Sequence, residues 1–346
     1  MWTSVLLVFT VRISRTLNQT GIKWASQPDV SDWLVAPDNK LIFSVISFTS
    51  ILIILASQVQ RSRLIESFIL AIGLTLVYHY RSATGSLTSP WQHHEVITDG
   101  LMEARLVYCC SLALVICSIL TVCKTLFKAQ GEDDSTPFSA YQKTLARALD
   151  TFLMGLLVLE ALLLRTHNVV LLALFYGVTY HTYMPFFLHS NNPTWRLALL
   201  YYWLGQATYF ALGNSNSLST VDIAAGYIGM RAHDGLVALI LMSLATYASP
   251  VLWLTALIKY QVKNATSYTT MYRACVTMVV PNALLLCVYC TLVYAQRYHL
   301  FVWSVFSPKL LYETMRALVM FCAYATVLIF ASVIDKHGKI SQSKKQ

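Results

Sequence analysis

The run L-V-Y-C-C-S-L-A-L-V-I-C-S-I-L-T-V-C, residues 106–123, contains no charged side chain. An α-helix needs about 20 such apolar residues to cross the hydrocarbon core of a bilayer. Similar runs recur along the chain, which is 56% hydrophobic and 12% charged, whereas soluble domains carry about 25% charged residues. A soluble fold of 346 residues could not bury that much apolar surface. The sequence therefore predicts an integral membrane protein.

The apolar runs predict an all-α fold, a polytopic membrane helix bundle of about nine transmembrane helices, within a range of about 8–10. The candidate spans are 41–57, 64–80, 106–123, 151–164, 169–188, 197–212, 235–258, 274–295 and 317–334. The second and fourth are weaker, because each contains a glutamate. This gives three regions. Residues 1–40 are a short apolar segment with a polar lumenal linker, residues 41–334 are the membrane domain, and residues 335–346 are a basic cytosolic tail.

The distribution of basic residues predicts the orientation of the spans. A lysine-rich tail favours a cytosolic C-terminus, and alternation through nine spans then puts 1–40, 81–105, 213–234 and 297–316 on the lumenal side. Asn18, in the sequon N-Q-T, becomes a candidate N-glycosylation site. The net charge of +9 is spread over the whole chain. It fits loops beside anionic headgroups and argues against nucleic acid as a partner.

Residues 213–230, G-N-S-N-S-L-S-T-V-D-I-A-A-G-Y-I-G-M, place a polar cluster between two long apolar runs. An unpaired polar group in hydrocarbon costs several kcal/mol, so this stretch must lie at the membrane interface, line a wet cavity, or be buried against protein. Asp222 is also placed to cap a helix that begins at Ile223. A plain loop between helices and a ligand-binding loop both remain open.

Residues 296–313, Q-R-Y-H-L-F-V-W-S-V-F-S-P-K-L-L-Y-E, mix basic and aromatic side chains before the last span. This pattern is typical of a segment that lies against headgroups, either as an anchor or as a site for an anionic phospholipid or a glycolipid. Glu160 is an intramembrane acid, which points either to a function or to a protonated or paired structural residue. The loop 81–105 contains His93, His94 and Glu95, a weak metal pattern. Residues 124–150 are predicted to be a flexible exposed loop.

Three stretches carry a resemblance to a known family. Residues 213–226, residues 297–313 and L-N-Q-T-G-I-K-W-A-S-Q-P-D-V-S-D-W-L at 17–34 resemble, in the same order, the membrane portion of the GPI ethanolamine phosphate transferases, and especially the type 2 enzymes. The resemblance implies an endoplasmic reticulum membrane protein of GPI-anchor biosynthesis. The activity it implies is the transfer of phosphoethanolamine from phosphatidylethanolamine to the second mannose of the GPI precursor.

The resemblance also implies a division of labour. In the family the chemistry belongs to a lumenal alkaline-phosphatase-like domain with a threonine nucleophile and zinc, and a small multispanning subunit shared within the family stabilises the complex. This chain departs from that pattern, because it shows no such domain and no Asp/His metal set. We expect it to be the membrane portion alone. We therefore assign it no catalytic residue, no metal ligand and no cofactor, and we expect zinc in the missing catalytic domain.

The resemblance implies positions for lipid or glycan contact within the two motifs. The candidates are Asn214, Asn216, Thr220, Asp222, His299, Trp303, Lys309 and Glu313. The expected partners are membrane lipids, the GPI precursor and the shared stabilising subunit. Two alternatives remain: a non-catalytic scaffold or regulatory isoform that binds the shared subunit, and a lipid transporter-like bundle with helices broken at prolines.

Overall fold

The computed structural model describes residues 2–18, 30–59, 62–88, 97–128, 137–181, 184–185, 194–215, 220–232, 234–265 and 267–343. In chain order the helices are α1 (Trp2–Ser14), α2 (Val30–Val35), α3 (Lys40–Val59), α4 (Leu64–Ala83), α5 (Leu101–Lys128), α6 (Pro137–Leu163), α7 (Asn168–Leu172), α8 (Thr194–Ala211), α9 (Gly235–Asn264), α10 (Tyr268–Ala295) and α11 (Leu300–Ser343). Helix α7 continues as a π-helix at Ala173–Thr179, and 3₁₀ turns lie at Pro37–Asn39 and Ile223–Tyr227.

The prediction of an all-α membrane bundle is confirmed, and the described part of each candidate span is mostly helical. By length and composition, 6 helices in the described part of the chain can cross a membrane. They are Pro37–Val59, Leu64–Ala83, Leu101–Lys124, Gly235–Asn264, Tyr268–Ala295 and Phe306–Ile329. The other predicted spans fall in α6, in α7 with its π-helix, and in α8. These helices are shorter or carry more polar side chains, so nine is an approximate number.

Small and hydroxyl residues set the closest approach between helices in the core. Helix α5 lies along α6 and α4. The hydroxyl of Ser111 in α5 donates to the carbonyl of Gly155 in α6 at 2.9 Å, and Ser118 donates to the carbonyl of Ala148 at 2.6 Å. Apolar burial adds little between helices that are surrounded by lipid, so close packing and interhelical hydrogen bonds hold them together.

The predicted flexible loop at 124–150 is wrong for its described part. Helix α5 extends to Lys128, and α6 begins at Pro137. Tyr141, Leu145 and Ala148 are buried at helical spacing. Polar residues of the same helix contact neighbours, since Gln142 donates to the carbonyl of Val262 and Asp150 forms an ion pair with Lys259. An amphipathic helix that lies against the bundle looks polar when only its composition is considered.

The predicted interfacial segment at 296–313 is also different in the structure. From Leu300 it is the first part of α11, which continues without interruption to Ser343 and contains Pro308. The predicted boundary before the tail at 335 therefore does not coincide with a break in the helix. Tyr312 and Glu313 are buried, because they pack against other helices instead of headgroups.

Contacts between distant loops define two ends of the bundle. At one end, which we call the polar end, Arg81 contacts the carbonyls that close α6, and Tyr108 donates to the carbonyl of Ile228. At the opposite end Gln142 in α6 donates to the carbonyl of Val262 in α9 at 2.9 Å. The alternation of spans predicts the same grouping of loops. Which end faces the lumen stays a prediction.

We expect the substitution Gly155→Leu to destabilise the packing of α5 on α6 by about 1–3 kcal/mol. A Cβ atom at position 155 would lie 3.1 Å from the carbonyl oxygen of Ser111 and 3.2 Å from Val115. The matched control is Gly235→Leu, where nothing lies within 4 Å of a Cβ atom. Thermal unfolding in detergent would measure the stability of both variants as their unfolding midpoints. Equal unfolding midpoints would contradict the close contact.

Candidate functional site

The polar end contains a cavity of about 510 Å³ between five segments of the chain. Its walls come from α2, the first turn of α3, the C-terminal end of α4, the connection from α6 to α7, and the 3₁₀ turn after Asp222. The lining residues are Ser31, Asp32, Val35, Phe43, Tyr80, Arg81, Ser86, Leu163, Leu164, Arg165, Thr166, His167, Asp222, Ala224, Ala225, Tyr227 and Ile228. Charged and apolar groups thus share one cavity, which suits an amphipathic ligand.

Arg81 closes the C-terminal end of α6. Its guanidinium donates to the carbonyl of Leu162 at 2.6 Å and also to the carbonyl of Leu164. The last carbonyls of a helix have no partner inside the helix, and cationic side chains at this position also interact favourably with the helix dipole. Arg81 therefore fixes where α6 stops and where the next residues enter the cavity.

A buried polar network lies beside the cavity. Asn18 Nδ2 donates to Asn168 Oδ1 at 2.7 Å and to the carbonyl of Ala211 at 3.0 Å. Asn168 Nδ2 donates to the carbonyl of Leu212 at 2.9 Å. His167 Nε2 lies 2.9 Å from Asn18 Oδ1, and this oxygen can only accept, so Nε2 carries the proton. The network joins the segment after α1 to the α6–α7 connection and to the end of α8.

The predicted glycosylation of Asn18 does not fit this geometry. The side chain is 8% exposed, and its amide nitrogen donates both of its hydrogens within the protein. A glycan on this nitrogen would break the contacts that hold Asn168 and the end of α8. In this fold Asn18 is a structural residue.

The loop that starts at Gly213 folds back over the network. Gly213 has a φ angle of +92°, and a Cβ atom there would lie 3.3 Å from the Asn18 amide, so both the angle and the space favour glycine. The backbone N–H of Ser215 donates to Thr220 Oγ1 at 3.0 Å. Asn214 is 8% exposed and lines a small cavity with Thr220 and Asp222. Asn216 lies outside the described residues.

Asp222 has two structural roles. One carboxylate oxygen accepts from the backbone N–H of Ala224 at 3.1 Å, which is the predicted cap of a helical turn at Ile223. The other oxygen pairs with Arg165 Nε at 3.1 Å. The Arg165 side chain is 56% exposed, so its guanidinium remains accessible from the cavity.

The charged side chains that line the cavity balance among the described residues. They are Arg81, Arg165, Asp32 and Asp222. Burial lowers the pKa of His167 to about 4, and the nearby Arg165 acts in the same direction. The imidazole is therefore uncharged at neutral pH. A cavity with two guanidinium groups and two carboxylates complements a ligand that carries both signs of charge.

A second cavity, of about 630 Å³, adjoins the first and shares Tyr80, Tyr227 and Ile228 with it. Asp99, Glu103 and Arg231 are among its lining residues. The turn that separates the cavities is held to α5, because Tyr108 donates to the carbonyl of Ile228 at 2.9 Å and Arg105 donates to the carbonyl of Gly229 at 3.3 Å. Two cavities thus lie side by side at the polar end, and the turn between them is fixed to α5.

The candidate residues of the second motif lie away from this cavity. His299 is exposed in the turn before α11, and Trp303 donates to the carbonyl of Arg297 at 2.8 Å. Lys309 Nζ lies 4.9 Å from the ring centre of Tyr289, and Glu313 pairs with Arg316 at 2.7 Å. The structure therefore separates the seven described candidates into two places.

Two other predicted features remain apart from the cavity. Glu160 is 2% exposed inside the bundle, and its Oε2 has no hydrogen-bond partner among the described residues. His93, His94 and Glu95 lie outside those residues. Within the described ranges, no group of at least three His, Cys, Asp or Glu side chains is placed to hold a metal ion.

Sequence reasoning missed Asp32, Arg81, Arg165, His167 and Asn168. The connection R-T-H-N at 165–168 is very short and almost wholly polar between two apolar runs. That pattern could have drawn attention to it, because a short polar connection between helices must face water or a cavity. Its partners could not have been found, since Asn18 and Asp222 are far away in sequence.

Fold and cavity together define a class of protein, a polytopic helical membrane protein with an amphipathic, charge-balanced cleft at one end. The chain belongs to a specific family within that class. The family model of the GPI ethanolamine phosphate transferase membrane region matches residues 1–335.

Curated relatives agree with the family model. The chain is 35% identical over 341 residues to the human GPI ethanolamine phosphate transferase 2, catalytic subunit, covering 98% of this chain and 33% of that protein. It is 34% identical over 135 residues to GPI ethanolamine phosphate transferase 2 of Schizosaccharomyces pombe, 38% of this chain and 17% of that one. The Yarrowia lipolytica enzyme of the same name is 24% identical, covering 92% and 41%. The chain spans only part of each relative, and no solved structure matches it.

We expect Arg81→Met to cost more stability than Arg165→Met. The first change removes the donor to the last carbonyls of α6, and a buried carbonyl without a partner costs about 1–3 kcal/mol. The second removes an exposed ion pair worth about 0–1 kcal/mol. Unfolding midpoints of both variants in detergent test this order. A larger loss for Arg165→Met would contradict the role of Arg81.

We expect stability to fall as the pH is lowered through the range in which His167 titrates in the unfolded chain. The folded-state pKa of about 4 lies below the ordinary value of 6.5, so the unfolded chain binds the proton first. The contribution of the neutral imidazole to the free energy of unfolding is fully present above pH 6.5. It falls by up to roughly 3 kcal/mol as the pH is lowered toward 4. In His167→Gln this part of the slope should disappear. An unchanged slope, measured by thermal unfolding at a series of pH values, would contradict the buried neutral imidazole.

Proposed function

We propose that the chain is the membrane module of a GPI ethanolamine phosphate transferase, and that its polar-end cavity presents the phospholipid donor for transfer to the second mannose of the GPI precursor. The observation that carries the proposal is the balanced set of charges around an amphipathic cavity at one end of the bundle. Phosphatidylethanolamine has a phosphate and an ammonium group above two acyl chains. The guanidinium of Arg165 suits the phosphate, and a carboxylate suits the ammonium.

The cavity walls support a lipid more than a soluble zwitterion. Phe43, Leu163 and Leu164 line the same space as the charged groups. An apolar wall beside paired charges matches the junction between a headgroup and its acyl chains. The catalytic steps then belong to a lumenal domain outside this chain, with zinc as its cofactor. The polar end faces the lumen, and the C-terminus is cytosolic in the endoplasmic reticulum membrane.

The shared small multispanning subunit is the expected protein partner of this module. The exposed apolar faces of the membrane helices leave space for another helix bundle. In α10, only 12% of the most apolar 18-residue stretch is buried in the chain. In the alternative of a non-catalytic scaffold, the chain would bind this subunit without taking part in the transfer.

The proposal is tested in cells that lack the chain, by mass spectrometry of their GPI precursors. Loss of the chain should remove phosphoethanolamine from the second mannose, and re-expression should restore it. The paired variant Arg165→Gln/Asp222→Asn removes both charges together and should reduce the modification by about tenfold or more, because the lost contacts are charge-assisted. Arg63→Gln, exposed at the opposite end, is the control.

Each outcome decides between the functions. A normal pattern in cells without the chain overturns the proposal. If the paired variant restored the modification of the second mannose as efficiently as the control variant does, the cavity would not hold the donor. Loss of the shared subunit from membranes without the chain, with unchanged modification of the second mannose, would favour the scaffold.

A further inference from the structure

A second cleft lies inside the bundle, between α8, α9, α10 and α11, and shares no residue with the polar-end cavity. Its lining residues are Tyr201, Tyr202, Gly205, Gln206, Pro250, Trp253, Leu254, Leu257, Met278, Asn282, Arg316 and Met320. They lie on four consecutive helices of the chain. The cleft is therefore formed only when the hairpin of α10 and α11 packs onto α8 and α9.

Arg316 is the charged group of this cleft, and its side chain is 13% exposed. One guanidinium nitrogen, Nη2, lies 2.7 Å from Glu313 Oε2 and 2.9 Å from Asn282 Oδ1. The Nε atom is buried and has no hydrogen-bond partner among the described residues. A buried donor without a partner costs about 1–3 kcal/mol. This atom therefore calls for an acceptor that the described part of the chain does not supply.

The polarity of the cleft changes along the helix axes. On α8, α10 and α11 the polar lining residues Gln206, Asn282 and Arg316 are nearer the polar end, and Met278 and Met320 are farther from it. Helix α9 contributes Trp253, Leu254 and Leu257 to the apolar part. The aromatic pair of Tyr209 and Tyr312, with ring centres 4.3 Å apart, lies between the cleft and the loops of the polar end. The polar part of the cleft is thus the part nearer the polar end, at the level of Arg316 within the span Phe306–Ile329.

We propose that this cleft binds a glycerophospholipid, one of whose phosphate or ester oxygens accepts the hydrogen bond from Arg316 Nε. An acyl chain lies along Trp253 and Met278, toward the opposite end. The polarity gradient of the cleft is that of a phospholipid, and a bilayer supplies this ligand. The cleft is narrow and measures about 50 Å³, which leaves no room for a helix about 10 Å wide, so its inner part can take no more than a segment of an acyl chain.

The bound lipid would complete the packing of the hairpin. Only 12% of the most apolar 18-residue stretch of α10 is buried in the chain, so this helix packs little against the other described helices. A phospholipid held at Arg316 would fill the seam between α10 and α8 and join two parts of the bundle.

The test is native mass spectrometry of the purified protein. The protein is first delipidated and then titrated with dipalmitoylphosphatidylcholine. The paired variant Glu313→Gln/Arg316→Gln removes both charges, so neither is left unpaired. We expect it to bind the lipid at least about tenfold more weakly, since a hydrogen bond from a charged donor is lost. The control is Arg273→Gln, an exposed arginine in the same hairpin, which should bind as the wild type does.

A photoreactive phosphatidylcholine provides a second readout on the wild type, in case the paired variant does not fold. Crosslinks are expected at Trp253, Leu257 and Met278. Equal binding by the paired variant and the control, or no retained lipid in the wild type, would overturn the proposal. Crosslinks confined to the polar-end cavity would overturn it as well. Competition by inorganic phosphate would also count against it, because that would show a free-anion site instead of a lipid cleft.

Discussion

The bundle depends on one constraint, that each backbone carbonyl at membrane depth needs a donor from the protein. At the end of α6 that donor is Arg81, which reaches the carbonyls of Leu162 and Leu164. Because α6 stops there, Arg165 turns toward Asp222 and His167 turns toward Asn18. The same guanidinium that terminates the helix also lines the cavity. The geometry of the candidate site is therefore a consequence of how the helix end is satisfied.

The polar groups of the bundle are concentrated at two levels. One set surrounds the cavity at the polar end, and the other, around Arg316, lies deeper between helices of the C-terminal hairpin. In both places a guanidinium is paired with a carboxylate, which lowers the cost of holding a charge away from water. In both places apolar side chains complete the wall. The two sites are built from different helices, so a substituted residue in one site makes no direct contact with the other site.

The sequence predicts the parts of this fold that depend on local pattern. Apolar runs identify the helices, and the Asp222 cap follows from a carboxylate placed before Ile223. The site itself depends on contacts between distant residues, such as His167 with Asn18, which no local pattern contains. The first turns of α6 were missed for a related reason. Their buried residues, Tyr141 and Leu145, are separated by polar ones, and one of these, Gln142, has its hydrogen-bond partner on α9.

The paired charges of the cavity also bear on which ligand it selects. In the proposed function, a plain anion that binds the accessible side of the Arg165 guanidinium brings a second negative charge close to Asp222, and like charges at short distance repel each other. A zwitterion lowers that cost, because its ammonium group compensates the carboxylate while its phosphate binds the guanidinium. Selection then comes from the penalty on ligands with a single sign of charge as much as from attraction to the right one. The neutral state of His167 at physiological pH preserves this balance, since a third cation would favour anions.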